Sequence, residues 1–257
     1  MKAITFTVIT LLAGAIAGTI LGAINQVAVE PYIEHAIELE MLQQNNITAQ
    51  SGQVTTNPAE FAAYRLWQKG GEIIAGTILG LSIGSLYGIV FAYTRGSISG
   101  THNKKKALIV AGIMWFVLFL MPALKYPPNP PAVGDPETIY YRQSLYVGFL
   151  AISGFSALGL AFLYRKMMVE SSNNKKKKAM IIIPLAYVAI MAGAYLAMPA
   201  NPDPINAPID LIVGFRITSA ITIGIFWALL GVIFGAFWDK ANFIGNKIAA
   251  RDNCNSS

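Results

Sequence analysis

The chain has 257 residues, 54% of them hydrophobic and only 12% charged, whereas soluble domains carry about 25% charged residues; a soluble enzyme is excluded and a membrane protein implied. The net charge of +6 does not make a nucleic-acid binder, because the lysines and arginines stand in short blocks between apolar runs rather than across one face of a soluble domain. The single cysteine, Cys254, lies in a polar tail and excludes both a disulfide framework and a cysteine-based zinc site.

The first apolar run covers residues 4–27. Lys2 precedes it, as in a signal peptide, but the run exceeds the roughly 7 to 15 apolar residues of such a region and is expected to remain as a membrane helix. Gly14, Gly18 and Gly22 recur along it every four residues. The string AGTILG at 17–22 returns at 75–80, within the second run at 72–93, where Gly76, Gly80, Gly84 and Gly88 keep the same spacing. Such spacing lines each row along one helix face, where missing side chains admit a neighbouring backbone, so the two rows read as packing seams. Asn25 and Gln26, at the end of the first run, are polar enough to cross-link helices or to line an entry, the first being the more usual role.

Between these runs, VEPYIEHAIELE reads as an amphipathic helix on the membrane surface, with Pro31 at its first position and Ile33, Ile37 and Met41 on one stripe. Glu34, His35 and Glu38 lie close enough on it to form a carboxylate and imidazole set for a borderline metal. The alternative is a solvated acidic face, since no HxxxH or ExxH pattern stands here. Asn46-Ile47-Thr48 is a glycosylation sequon.

Further runs at 107–124, 145–163, 179–198 and 212–238 bring the total to six, each near the roughly 20 residues that cross a bilayer as a helix. The fold class is therefore all-α: a polytopic helical bundle forming a single integral membrane domain over 1–257. Arg95 and Lys104 to Lys106 follow the second run, Arg165, Lys166 and Lys175 to Lys178 the fourth, and Lys240, Lys247 and Arg251 the sixth. The positive-inside rule makes those segments cytoplasmic. Three in-out-in hairpins result, at 1–94, 107–165 and 179–240, with a polar tail at 241–257 and both termini inside. The outer segments then carry most of the acids, which gathers cations there. His102 lies among lysines on the cytoplasmic side and reads as solvated.

An aromatic-arginine step precedes each returning run, at Tyr64-Arg65, Tyr141-Arg142 and Phe215-Arg216. Each arginine is either a headgroup anchor or a tie between outer loops, in which Arg142 meets Asp135 or Glu137 and Arg216 meets Asp210. The second and third hairpins also share Met-Pro ends, in FLMPALKYPPNPP and YLAMPANPDP, after which the chain enters a Pro/Asn-rich outer loop. Met121 and Met198 are soft enough for Cu(I), though packing is the commoner role. No GxxxxGK[ST] loop, HExxH pattern or GxSxG elbow is present, so no enzyme activity is expected.

The stretch LMPALKYPPNPPAVGDPETIYYRQSLY resembles the most characteristic segment of the CbtA family, predicted cobalt transporter subunits. LLAGAIAGTILGAINQVAVEPYIEHAIELE is similar to that family's opening helix and acidic segment, and GFRITSAITIGIFWALLGVIFG to its closing helix. The resemblance implies cobalt uptake linked to cobalamin, beside a small histidine-rich membrane partner, CbtB. It carries over Pro127, Pro128, Pro130, Pro131, Gly134, Asp135, Arg142 and Arg216 as motif positions. With Arg65, Glu137 and Asp210 these form the expected ion mouth: a proline-stiffened outer cap between hairpins, set in the plasma membrane's lipid bilayer. Co²⁺ enters as cargo, with no permanently bound cofactor. The rival reading is a non-transporting assembly subunit, and a homo-oligomer is one further assembly left open.

Overall fold

The computed structural model describes residues 3–51, 58–98, 102–131, 133–170, 173–203 and 207–255, and for 43–51, 58, 169–170, 173–176 and 244–255 only the helical backbone. Lys2 lies outside the described residues, and so do the side chains of Asn46, Lys175, Lys176, Lys247, Arg251 and Cys254. The described chain is helical, without strands: α1 (Ala3–Ala28), α2 (Glu30–Ser51), α3 (Pro58–Thr94), α4 (Asn103–Trp115), a π-helical segment (Phe116–Leu120), α5 (Met121–Lys125), a 3₁₀ turn (Pro136–Thr138), α6 (Ile139–Glu170), α7 (Asn173–Ala197) and α8 (Ile209–Asn255). Six of the resulting segments are long and apolar enough to cross a membrane: Ala3–Ala28, Ala59–Thr94, Asn103–Lys125, Pro136–Met168, Lys177–Ala197 and Ile209–Phe243.

Several boundaries differ from the hydropathy reading. α3 begins at Pro58 rather than near Glu72, so Arg65 lies within a helix, as do Arg142 in α6 and Arg216 in α8. Polar residues lower hydropathy without breaking a helix, and between Pro58 and Glu72 only Gly70 and Gly71 disfavour one. α8 likewise runs on through the polar tail to Asn255. α2 follows α1 after the single residue Val29. Pro122 does not end its helix, which continues for one turn to Lys125, whereas α7 does end at Ala197, before Met198-Pro199.

The contacts divide the chain into two compact units, one of Met1–Gly22, Ile73–Trp115 and Ile223–Ser257, the other of Ala23–Glu72 and Phe116–Thr222. In the first unit the glycine rows of α1 and α3 face each other. A Cβ on Gly14, Gly18, Gly76, Gly80 or Gly84 would come within about 3 Å of opposing main chain, and one on Gly88 would strike Thr10. Such approach lets van der Waals packing join helices in lipid, where no hydrophobic force does. The Thr19 and Thr77 hydroxyls hydrogen-bond across the seam at 2.8 Å.

A second seam, between α4 and α8, escaped the sequence reading. A Cβ on Gly235 would lie 2.8 Å from Lys104 Cα, and one on Gly231 2.9 Å from Ala111 Cβ; the four-residue spacing of those two glycines was its signal. Phe6, Tyr87, Phe91, Phe234 and Trp238 form an edge-to-face aromatic cluster beside it. The Tyr87 hydroxyl donates to Ala107 O at 2.7 Å, so the buried phenol keeps a partner.

The second unit has its core at Val117, Tyr126, Leu145, Phe149, Tyr187 and Met191, where α6 and α7 pack against the π segment and α5. α2 rests on α8 through the Tyr32 ring, which lies against Gly214 so closely that a Cβ there would overlap it.

Candidate functional site

The Pro-rich connection after α5 is held in the second unit by one buried carboxylate. Asp203, in the connection after α7, has a side chain only 5% exposed, and its Oδ2 lies 2.9 Å from Arg142 Nε on α6. The approach is off the N–H axis, an ion pair rather than an aligned hydrogen bond. The same oxygen accepts from Asp135 N at 3.0 Å and from the Thr138 hydroxyl at 2.6 Å. Two hydrogen-bond donors and a cation thus meet at one oxygen.

Arg142 completes the clamp by donating from Nη1 to Val133 O and from Nη2 to Asp135 O, both at 3.1 Å. It therefore meets Asp135 only at the main chain and does not meet Glu137; its acidic partner is Asp203, some 60 residues further along the chain. Asp135's own carboxylate accepts from Glu137 N at 2.9 Å and caps the 3₁₀ turn. Gly134 sits at φ +100°, and a Cβ there would lie 2.7 Å from Asp203 Oδ2. Both the turn and the closeness of the clamp thus require glycine.

Arg216 reaches back from α8 to the same connection. Its Nε and Nη2 donate to Asn129 Oδ1 at 3.3 and 2.7 Å, and Nε also approaches Pro128 O at 3.3 Å. It does not pair with Asp210, which lies exposed in the first turn of α8. Side-chain amides and prolyl carbonyls accept as well as carboxylates do, so a search for acids alone overlooks them. Tyr126 O–H donates to Pro199 O at 2.6 Å, and Lys125 donates to Tyr195 O at 2.8 Å while lying 4.5 Å from that ring's centroid. Burial, with Tyr141 adding to it, pushes the Tyr126 phenol above its ordinary range.

Pro127, Pro128, Pro130, Pro131, Gly134, Arg142, Asp203 and Arg216 line a cleft of about 1090 Å³, together with Glu40, Asn129, Asn201, Gln143 and the apolar walls Phe119, Leu145 and Tyr146. Asp135, Glu137 and Asp210 are not among its lining residues and are exposed.

Arg65 belongs to a separate network. It donates to Glu30, which is 7% exposed, and to Gln68 Oε1 at 2.7 Å. Lys69 donates to Glu34 and lies 3.8 Å from Glu30. Gln26 donates to Lys69 O, tying α1 to α3. The Lys69 hydrogen bond holds the Glu34 carboxyl below its ordinary value. Glu34 is thus engaged by an ammonium group, while His35 and Glu38 are exposed. Among the described residues, no group of three or more His, Cys, Asp or Glu side chains converges to hold a metal ion.

The family model for CbtA, described as a probable cobalt transporter subunit, matches residues 3–239. No curated protein and no solved structure matches the chain.

Proposed function

Since the chain belongs to the CbtA family of probable cobalt transporter subunits, we propose that it is the membrane-spanning subunit through which Co²⁺ passes into the cytoplasm to supply cobalamin synthesis. The observation that carries this reading is the family match over residues 3–239, on a chain with six helices able to cross a membrane. The basic blocks that follow the second, fourth and sixth apolar runs support a cytoplasmic location for both termini in the plasma membrane. The clamped connections then face outward, and the cleft beneath them is the entrance, with the exposed Asp135, Glu137 and Asp210 gathering cations around it.

The chain needs no enzymatic step for uptake. An inside-negative potential contributes about 2.3 kcal/mol per charge per 100 mV, so roughly 4.6 kcal/mol for a divalent ion. At about 1.4 kcal/mol per decade this drives more than a thousandfold accumulation. Metal delivery falls to a small histidine-rich partner of the CbtB type, in keeping with only two histidines in this chain.

The lack of a metal-holding group among the described residues favours a second reading, an assembly subunit without its own ion path. Cobalt uptake into proteoliposomes under an imposed potential, with and without the partner and against nickel and zinc, separates the two. Uptake that requires this chain supports transport; no flux under any of these conditions leaves the assembly reading.

A further inference from the structure

The third span is interrupted by the π-helical segment Phe116–Leu120, immediately before Pro122. In a π pattern each carbonyl looks to the N–H five residues on, which for Val117 is Pro122, a residue without an N–H. In a continuous α pattern Val117 O would take Met121 N–H, and the missing donor would orphan Leu118 O, against which the proline ring would also press. Proline at this position thus leaves a choice of which carbonyl goes without a main-chain donor.

Among the described residues, a side chain of a neighbouring helix answers one of these carbonyls, that of Val117. Ser153 on α6 is fully buried, and its hydroxyl donates to Val117 O at 2.6 Å. The Ser153 oxygen also lies 2.7 Å from the hydroxyl of Tyr187 on α7. A carbonyl can only accept, so Ser153 spends its one proton on Val117, and Tyr187 must be the donor to Ser153. The relay has a single direction, and it ends on the carbonyl that the π register leaves open.

We infer that Ser153 and Tyr187 are positioning residues that select the π register of the third span, and that this register sets which face of α5 and its approach lines the cleft. The inference rests on the transport reading in its last step only. Phe119 and Ala123, four residues apart, both line the cleft, and Tyr126 follows them. Changing from π to α removes one residue from a turn and rotates everything after it by about 100°, carrying those side chains away from the cleft and pulling on the Pro-rich connection. A single buried hydroxyl thereby acts on the entrance through the helix, without touching cargo.

The test uses full-length protein in nanodiscs, with Cys254→Ser and a single Phe119→Cys or Ala123→Cys, and reads the thiol-labelling rate. Ser153→Ala should lower labelling at both positions by about tenfold, the population change that follows loss of one buried hydrogen bond. Pro122→Ala, which restores the missing donor, should do the same by an independent route, and Ser153→Thr, which keeps the hydroxyl, should preserve the wild-type pattern. Unchanged labelling in both Ser153→Ala and Pro122→Ala overturns the register assignment. Altered labelling with wild-type cobalt uptake overturns the positioning role. Altered labelling in a chain whose wild type moves no cobalt upholds the register assignment and sinks only the transport reading.

Discussion

Asp203 Oδ2 and Arg142 Nε, 2.9 Å apart, join the connection after α7 to the first turns of α6. The Pro-rich connection is wrapped between them, since the same carboxylate holds Asp135 N and Thr138, and the same guanidinium holds the carbonyls of Val133 and Asp135. Two connections that are separate in sequence are therefore one piece of structure.

Removing the carboxylate leaves Arg142 without its counter-charge and two donors without an acceptor. Asp203→Ala should destabilise the protein by about 3 kcal/mol. Asp203→Asn, which keeps an acceptor, should cost less. Thermal unfolding in detergent measures both, and a double-mutant cycle with Arg142→Ala should return a coupling of at least about 1 kcal/mol; additive costs would contradict the clamp.

Gly134→Ala should be destabilising by about 1 to 3 kcal/mol, because φ +100° is strained for an L-residue and the added Cβ would lie 2.8 Å from Arg142 Cζ. Gly70→Ala is its control. That residue lies inside α3 with nothing within 4 Å of the new Cβ, so the substitution should stabilise by about 0.5 to 1 kcal/mol through helix propensity.

Gly80→Ala should loosen α1 from α3, since the new Cβ would lie 2.7 Å from Gly18 Cα. The expected cost is about 1 to 3 kcal/mol, the range of overpacked sites. Gly112→Ala has open space and should be neutral or better. Comparing melting temperatures of the two variants checks the seam.

Glu34 is held below its ordinary value of 4.5 by the hydrogen bond from Lys69. A depressed carboxylate contributes stability that is present in full above the unfolded value and lost as pH falls through the folded one. The contribution should therefore disappear on acidification below 4.5 and be absent in Lys69→Met. Carboxyl chemical shifts of labelled Glu34 followed through pH check this: in Lys69→Met the midpoint should rise.

Much of the architecture could be read from hydropathy and spacing, because span length and a four-residue glycine repeat are local properties of the chain. Arg142 and Arg216 stand out for a similar reason, as charges at the edge of apolar runs. Their partners were not legible. Asp203 and Asn129 lie roughly 60 and 90 residues from the arginines they meet, and nothing in either neighbourhood encodes that distance. The NPDP string, which mirrors the first Pro/Asn-rich loop, was the available pointer to Asp203. The π segment was hidden differently: Pro122 announces a missing donor, but whether the helix ends or bulges depends on Ser153, on another helix. Gly231 and Gly235 carried the same spacing signal as the seam of α1 and α3 in only one pair.

The seam itself resembles a vernier. Glycines repeated every four residues match each other again after a slide of one turn, about 6 Å, so close approach by itself permits more than one alignment. What singles out the observed alignment is the marks that are not repeated: the hydroxyls of Thr19 and Thr77 meeting across the seam, and Thr10 filling the space over Gly88. In this pair of helices, glycine supplies the closeness and threonine the address.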